Sequence, residues 1–387
     1  MFPQIPTLQE VVLKYGGKLP KCWGEVKPSY EWQRKLFRSE TDDHNSPEGE
    51  GGEHMIINVW RPIKPVHQWG LAVLDGRSMK QGDVHPTTIN KFDNSNSLSD
   101  LNNAFTNKSF KILVKNGYKL IKPLIIYHTT NSKIWSKNIN FRLDFELDKD
   151  SSLRVIDIFN DTSEKNFLNI FYNFELRENA VLKNYKIDKF ENRNIKYSFN
   201  NIEQDKNSVS ETFILSSGSN FFKNEINCNL KGEYASAFVN GIFSLKNDKH
   251  HEIRTIINHL TENTKSYQLI KSVLEENSKA VYQGKIFVDS EAQKTDGYQL
   301  SKAILLNEES EFNAKPELEI YADDVKCSHG SASGSLNEDS IFYLMSRGLS
   351  YQQSRELLIN GFLLDVVEKI TDSEIKNLIK NLIGIKE

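Results

Sequence analysis

Cys327 and His329 are the residues whose types and spacing in this sequence best suit a chemical role. Asp323 and Asp324 mark a corner before them, and residues two apart on the strand that follows point to the same face. A thiolate and an imidazole side by side can bind one thiophilic ion, such as iron or zinc. These ions take about four ligands, so a partner chain would have to complete the site. In the structural alternative, Cys327 fills a core and His329 makes ordinary hydrogen bonds.

Short strands separated by turns of Asn, Gly, Ser and Asp make up most of the sequence before these residues. Between Ile139 and Leu147, for example, large apolar residues alternate strictly with polar ones, as in a strand with one wet face. Cys228 shares a face with Ile226 and Leu230, which predicts that it fills a core. A series of such strands fits a β-sandwich, a β-barrel or a stacked solenoid, and the pattern alone leaves all three open.

The spacing of apolar residues becomes helical after Leu336. A capping-box pattern at Ser350 predicts a helix over about 351–369, and a second pattern at Thr371 predicts another helix over about 372–384. Both helices carry an apolar stripe. They can therefore pack on a neighbouring surface and still leave residues free for a partner.

Composition and cysteine usage exclude some classes of protein. The chain has 387 residues and a formal net charge of −3, so it has no basic field for nucleic acid. No stretch reaches the roughly 20 apolar residues of a membrane span. Cys22, Cys228 and Cys327 form neither a disulfide framework nor a CxxC site, and the N-terminus lacks signal-peptide features. We therefore expect a reducing, cytoplasmic setting, with neither nucleic acid nor membrane as a partner.

A string of residues near the C-terminus resembles a known family. Within residues 317–362, Asp-Asp-Val-Lys-Cys-Ser-His-Gly is followed by Phe-Tyr-Leu and then by Ser-Arg-Gly. Together these short motifs resemble the C-terminal signature of the SufB/SufD family, the scaffold proteins of the SUF system of iron-sulfur cluster assembly. The resemblance points to the SufD branch, because residues 299–310 lack the cysteine that SufB proteins carry there. SufB proteins also have His-Glu-Ala where this sequence has Ser-His-Gly at 328–330.

Residues 248–301 contain a second set of short motifs similar to the sequences of this family. His250 and His259 match two of its histidines, while Glu252 and Arg254 stand where Asp and His are usual. With His251 they form a triplet, but histidines separated by one and nine residues have no common metal-ligand spacing. We expect them to be structural, with each imidazole hydrogen-bonded to a neighbour.

The resemblance implies a mainly β fold. A right-handed parallel β-helix would occupy residues 96–336, and a C-terminal helical domain would occupy residues 337–387. The first 95 residues are atypical of the family and include an acidic, Gly-rich stretch, residues 39–54, which we expect to be a flexible linker. Residues 56–86 resemble a segment of the AsaB-type, gibberellin-desaturase-like oxidoreductases. That segment lacks their presumed metal ligands, so it implies no activity.

The resemblance also implies a function as a non-catalytic scaffold subunit. His329 matches the family histidine that takes part in nascent cluster formation at the SufB–SufD interface, and Cys327 is a possible second residue of that interface. The iron-sulfur cluster would be transient and shared with SufB, which would pair with this chain through the β-helix. The helical domain would dock SufC, an ABC-type ATPase. The residues expected in that docking region are Phe342, Tyr343, Arg347, Leu358, Phe362 and Val366.

Two alternatives stay open. One is a SufB-like paralogue; the other is a β-solenoid enzyme that acts on carbohydrate, with Asp323 and Asp324 as acid and base. Neighbouring residues of a strand point to opposite faces, so this pair could flank one bond only if the corner turned both together. The sequence has no P-loop, so ATP hydrolysis would belong to a partner.

Overall fold

The computed structural model describes the backbone of residues 54–58, 71–75 and 84–87, and then residues 97–106, 109–128, 138–159 and 165–385. Cys22 and the predicted linker up to residue 53 lie outside the described residues. The structural statements below concern the described part of the chain.

Two sheets build the main body of the protein. The ten-stranded sheet has the order β1 (His54–Asn58), β2 (Leu71–Asp75), β5 (Leu124–His128), β7 (Ser152–Phe159), β9 (Val181–Asp188), β11 (Val209–Ser216), β13 (Ser236–Leu245), β15 (Lys265–Leu274), β17 (Asp296–Leu305) and β19 (Lys326–Gly334). The nine-stranded sheet has the order β18 (Glu311–Ile320), β16 (Lys279–Val288), β14 (His250–His259), β12 (Phe221–Leu230), β10 (Ile195–Gln204), β8 (Phe167–Leu176), β6 (Asn138–Leu147), β4 (Ser109–Val114) and β3 (Val84–Thr87).

The chain alternates between the two sheets, so each turn adds one strand to each of them. Each strand from β6 to β19 pairs in parallel with the strand of the preceding turn, for example β10 with β8 and β11 with β9. Among the described strands, the antiparallel pairs are β1 with β2, β2 with β5 and β3 with β4, all near the N-terminal end of the sheets. This topology is a parallel β-helix, and it confirms the mainly β fold that the resemblance implied. Of the three architectures that the pattern left open, the protein adopts the solenoid.

One corner of the β-helix repeats the same backbone conformation in every turn. A residue with φ between 57° and 62° follows each strand from β6 to β16 of the nine-stranded sheet, namely Asp150, Asn179, Asn207, Tyr234, Asn263 and Lys294. Each of these backbone N–H groups donates to a carbonyl of the next turn where a partner is described, as from Asn179 to Lys206 at 2.9 Å. Asn adopts this left-handed conformation at little cost, which explains the Asn-rich turns of the sequence.

Inward-facing side chains fill the space between the two sheets. The apolar residues of β6, from Ile139 to Leu147, are all buried, which confirms the predicted strand with one wet face. Cys228 is 1% exposed and lies in the same core as Ile226 and Leu230, so the prediction that it fills a core is also confirmed. Burial raises the pKa of its thiol, and a protonated buried thiol is inert.

The described residues include four helices: α1 (Ser97–Phe105), α2 (Glu338–Ser346), α3 (Tyr351–Val367) and α4 (Ser373–Leu382). Ser350 caps α3 in a reciprocal capping box with Gln353, as predicted. The predicted cap at Thr371 is wrong, because Asp372 caps α4 and accepts from the N–H groups of the first turn. Helix α2 was not predicted. No helix in the described ranges is long and apolar enough to cross a membrane.

Helices α3 and α4 pack on the outer face of the ten-stranded sheet. The buried apolar residues of the two helices and of the connection between them are Leu363, Val366, Val367, Ile370, Ile375 and Ile379. They meet outward-facing residues of the strands, namely Ile125, Tyr127, Ile156, Tyr185, Ile187, Phe213, Leu215, Ile242 and Val273. Lys271 adds a polar tie, because its ammonium donates to the Phe362 carbonyl at 2.8 Å. The helical layer is thus packed against strands of the β-helix from β5 to β15.

Two glycines offer a matched test of how closely neighbouring turns of the β-helix approach each other. A Cβ at Gly232 would lie 1.9 Å from the backbone nitrogen of Lys206 in the preceding turn, whereas nothing lies within 4 Å of a Cβ at Gly361 in α3. We expect Gly232→Ala to lower the free energy of unfolding by about 2–4 kcal/mol, because the backbone must shift. Gly361→Ala should raise it by about 0.5–1 kcal/mol. Urea unfolding of both variants measures this, and equal effects would contradict the close approach of the two turns.

Candidate functional site

The C-terminal end of the β-helix is uncovered within the described chain. Strands β18 and β19 are the last strands of their sheets, and each pairs on one side only, with β16 and β17. Their other edges have free backbone N–H and C=O groups, which can pair with another chain. Residues of the last turn that would be buried in an earlier turn are therefore exposed, and Ile320 is 37% exposed.

His329 lies on the inward-facing side of β19 at this open end. Its register partner on β17 is Gln299, which points into the interior and is 1% exposed. His329 itself is exposed, because the described chain places no further turn above it. Its ring makes no hydrogen bond or ion pair with any residue in the described ranges. The imidazole is thus held at the rim of the β-helix with its nitrogens available to a ligand.

Cys327 lies one inward position before His329, but its thiol is half-buried. Its register partner is Gly297, where an added Cβ would lie 3.3 Å from the Cys327 sulfur. The side chain packs on a small apolar cluster at the end of the β-helix, which includes Ile286 and Leu318. Burial raises the pKa of the Cys327 thiol, which disfavours the thiolate that would bind iron. Cys327 is therefore the weaker of the two candidate ligands.

These two residues do not form a complete metal site. Among the described residues, no group of three or more His, Cys, Asp and Glu side chains could hold a metal ion. Asp323 and Asp324 lie in the exposed corner between β18 and β19, where the Asp324 backbone N–H donates to the Gln293 side chain at 3.0 Å. A ligand bound at His329 therefore needs further donors, and the open end leaves room for another chain to supply them.

Exposed aromatic residues cluster on the helices beyond the last strand. Phe342 is 75% exposed and Tyr343 is 57% exposed, and both belong to α2. The Arg347 guanidinium lies 5.2 Å from the centre of the Tyr343 ring. Three further apolar residues of α2 and α3 are exposed and were not predicted, namely Met345, Tyr351 and Leu357. Phe342 and Tyr343 were predicted as docking residues from the family resemblance and not from helical periodicity, and α2 itself was not predicted.

The other three predicted docking residues are placed differently. Leu358 and Phe362 are half-buried, and the Lys271 ammonium lies 4.5 Å from the centre of the Phe362 ring. Val366 is completely buried against the ten-stranded sheet. It therefore holds α3 on the β-helix and cannot contact a partner while the helix stays packed. The accessible part of the predicted docking region is Phe342, Tyr343 and Arg347.

The comparisons with known proteins address the same part of the chain. A family model described as SUF system FeS cluster assembly, SufBD core domain, matches residues 129–362, which include most of the β-helix and His329. The chain belongs to the SufBD family. A second model, described as an oxidoreductase/YMDC permease-like domain, matches residues 33–108. Most of that match lies outside the described residues, and no activity is assigned from it.

Individual SufBD relatives agree with this assignment. The chain is 30% identical over 280 residues to the iron-sulfur cluster assembly protein SufD of Escherichia coli, covering 70% of this chain and 65% of that protein. It is 27% identical over 305 residues to the chloroplastic protein ABCI7 of Arabidopsis thaliana, covering 76% of this chain and 63% of that protein. A SufBD family protein of Synechocystis is 37% identical over 119 residues, 31% of this chain and 26% of the relative. The matches thus span less than two thirds of each relative's length.

Two other histidines of this SufBD core, His251 and His259, are hydrogen-bonded to neighbours, as predicted. His251 is fully buried, and its two ring nitrogens lie 2.7 Å from the Ser216 hydroxyl and 2.7 Å from the Ser219 carbonyl. His259 is also buried, between the hydroxyls of Thr264 and Ser266. His250 lies on the outer face, 3.1 Å from the Glu252 carboxylate.

These two buried histidines predict how the stability of the SufBD core depends on pH. Burial lowers the pKa of His251 and of His259 from the ordinary 6.5 to about 4. The unfolded chain therefore takes up protons at a higher pH than the folded chain. The free energy of unfolding falls by about 3 kcal/mol per histidine as pH falls from 6.5 towards 4. Urea unfolding at pH 7 and at pH 4.5 measures this loss. His259→Gln should remove about half of the contribution from this pair, and an unchanged pH dependence would contradict the buried neutral state of His259.

Proposed function

We propose that this chain is a SufD-type subunit of an iron-sulfur cluster assembly complex. In this proposal His329 contributes a ligand to a nascent cluster, which is the cargo of the complex and not a resident cofactor. A SufB-type partner covers the open end of the β-helix and supplies the remaining ligands. The chain itself acts as a scaffold and catalyses no reaction.

The position of His329 is the observation that carries the proposal. An imidazole that is exposed, free of hydrogen-bond partners in the described chain and fixed on a rigid strand can bind iron with little reorganisation. The incomplete donor set at the same place calls for ligands from a second chain. The unpaired edges of β18 and β19 provide backbone groups through which that chain can align with this one.

Docking of a SufC-type ATPase is the second part of the proposal. The exposed aromatic residues of α2 form an apolar surface next to Arg347, a composition enriched in protein interfaces. Because α3 and α4 are anchored to the β-helix, a movement of a bound ATPase would be transmitted to the strands. ATP hydrolysis would in this way act on the site at His329 from outside.

A SufB-like paralogue is less well supported than a SufD-type subunit. The stretch 299–310 has no cysteine, and E. coli SufD matches 70% of this chain. The family model that covers most of the β-helix is one of iron-sulfur cluster assembly, which favours that function over a carbohydrate-active enzyme. We place the complex in the cytoplasm, in keeping with the scarcity of cysteines.

Co-purification tests the proposed complex. The full chain is expressed with a SufB-type and a SufC-type protein of the same source, with an affinity tag on this chain only. We expect both partners to be retained, and we expect iron and sulfide to be incorporated only when all three proteins are present. Retention of neither partner would contradict the proposal.

A further inference from the structure

The interior of the β-helix holds charged side chains for which the proposed function has no role. Asp157 on β7 and Lys186 on β9 have no exposed side-chain surface, and the ammonium lies 2.8 Å from the carboxylate. His128 on β5 lies 2.5 Å from the other carboxylate oxygen, and the Tyr172 hydroxyl donates to Asp157 at 2.5 Å. Burial alone would raise the pKa of Asp157, but Lys186 and His128 hold it below its ordinary value. Asp157 is therefore ionised inside the β-helix.

A second buried ion pair lies in the neighbouring turn. The Lys196 ammonium of β10 lies 3.1 Å from Asp188 at the end of β9, and neither side chain has exposed surface. Ser219 donates to Asp188 from its backbone N–H at 3.0 Å and from its hydroxyl at 2.8 Å. The His251 ring lies beside this pair, and its Nε2 forms a hydrogen bond with the Ser219 carbonyl. Burial would raise the pKa of Asp188, whereas Lys196 and His251 lower it below the ordinary value.

Phe159 connects the two ion pairs. Its ring stacks on the His128 ring with centroids 4.6 Å apart, and the Lys196 ammonium lies 4.9 Å from its centroid. We call the two pairs with their histidines the interior charge cluster; its members are His128, Asp157, Lys186, Asp188, Lys196 and His251. Two carboxylates balance two ammonium groups in this cluster. Removing one charge leaves another unpaired where water does not reach it.

The same strands hold the helical layer on their other face. Asp157 points into the interior, and its neighbour Ile156 points outward to the apolar layer under α3 and α4. Lys186 likewise points inward between Tyr185 and Ile187, which both belong to that outer layer. A displacement of β7 or β9 would therefore disturb the interior charge cluster and the helix contacts together.

Polar contacts tie the start of α4 to these two strands. Arg154 on β7 forms an ion pair with Asp372, the residue that caps α4. Lys183 on β9 donates to the Thr371 hydroxyl at 2.5 Å, and that hydroxyl donates in turn to Glu211 of β11 at 3.1 Å. The position of α4 thus depends on the positions of the strands that carry the cluster.

We propose that the interior charge cluster is a lock that fixes β7 and β9 and thereby the seat of α4. Only one arrangement of the strands pairs every buried charge, so the cluster selects that arrangement over shifted ones. An unpaired charge draws water into the interior and loosens the strands that carry it. The loosening reaches α4 through the outward residues of the same strands. The inside of the β-helix and the helical layer are in this way coupled.

Amide hydrogen exchange of the full chain tests the lock. Lys186→Gln removes one buried charge, and we expect exchange in β7, β9 and α4 to become about 10-fold faster, with Tm lowered by about 10 °C. Exchange in β16 and β18 should change by less than about 2-fold. The control is Lys149→Gln, because the Lys149–Glu178 pair also joins neighbouring turns, at 2.9 Å, but its side chains are 48% and 42% exposed. That variant should change neither quantity.

The double variant Asp157→Asn/Lys186→Gln separates charge pairing from loss of a side chain. It removes both charges and keeps groups that can bond His128 and Tyr172, so we expect it to recover at least half of the lost Tm and to slow exchange in α4 again. Folding of the double variant alone also supports the lock if Lys186→Gln fails to fold. A double variant as unstable as the single one overturns the proposal. Unchanged exchange in α4 of Lys186→Gln, with faster exchange in β7 and β9, overturns the coupling.

Discussion

His329→Ala is expected to abolish cluster formation while leaving the protein folded. The side chain is exposed and has no partner in the described chain, so its removal should change the free energy of unfolding by less than about 0.5 kcal/mol. Loss of a ligand should exceed the 10–100-fold effect of losing a group that only supports a ligand, so we expect more than about 100-fold less cluster on the complex. The measurement is iron and sulfide content of the reconstituted three-protein complex, together with activation of an acceptor apoprotein.

Two variants control this experiment. His250→Ala removes another histidine, one that contacts Glu252 on the outer face two strands before β18, and it should leave cluster formation unchanged because it does not face the open interior. Cys327→Ser should reduce cluster formation only mildly, because its half-buried thiol is the weaker candidate ligand. Normal maturation by His329→Ala would remove the ligand role, and a larger loss with Cys327→Ser would assign that role to the thiol.

Phe342→Ala/Tyr343→Ala is expected to release the ATPase without unfolding the chain. Large aromatic side chains at the centre of an interface often contribute 2 kcal/mol or more each, so loss of both should raise the Kd for a SufC-type partner by roughly 700-fold. Both residues are mostly exposed, at 75% and 57%, so Tm should stay within about 2 °C of the parent. Calorimetric titration with the purified ATPase measures the Kd.

Phe105→Ala is the matched control for this double variant. Phe105 is an aromatic residue that is 61% exposed, and it lies on α1 near the other end of the described chain. Binding should be unaffected by that change. Deletion of residues 351–387 is a poorer test, because it would expose the apolar face under α3 and α4 and destabilise the β-helix. Undiminished binding by the Phe342/Tyr343 variant would move the docking surface elsewhere.

Strands whose inward-facing residues are apolar can be predicted from this sequence, whereas strands whose inward-facing residues are polar are harder to predict. The strand β6 stands out because every inward residue is apolar. In β10 the inward positions are held by Lys196, Ser198 and Asn200, all completely buried, and β15 buries Gln268 in the same way. Strand β10 alternates apolar and polar residues from Ile195 to Asn200, but its polar residues face the interior, which is the reverse of what the alternation predicts. Strand β15 has no regular alternation. Their position follows from the tertiary register, which the sequence alone does not display.

The solenoid itself was hidden for a similar reason. The feature that repeats in each turn is a left-handed corner, and that position is occupied by Asn179 and Asn207 but also by Tyr234 and Lys294. A conserved backbone conformation filled by unrelated side chains leaves no visible repeat. The family resemblance supplied what the periodicity could not.

The candidate site was predicted in part. The corner at Asp323 and the shared face of Cys327 and His329 follow from strand geometry, and the structure has both. The different exposure of the two side chains could not be foreseen, since it depends on the last turn being open and on Leu318 packing against Cys327. The burial of Val366 likewise follows from the way α3 lies on the sheet, which a helical stripe does not determine.

The most direct test of the account asks whether a histidine nitrogen of this chain binds the cluster. The complex is assembled with nitrogen-15 histidine in this chain only, the cluster is reduced, and nitrogen hyperfine coupling is measured by pulsed electron paramagnetic resonance. We predict a strong nitrogen-15 coupling that persists in His250→Ala and is absent from any residual cluster of His329→Ala. A fully formed cluster without nitrogen-15 coupling would contradict the central claim.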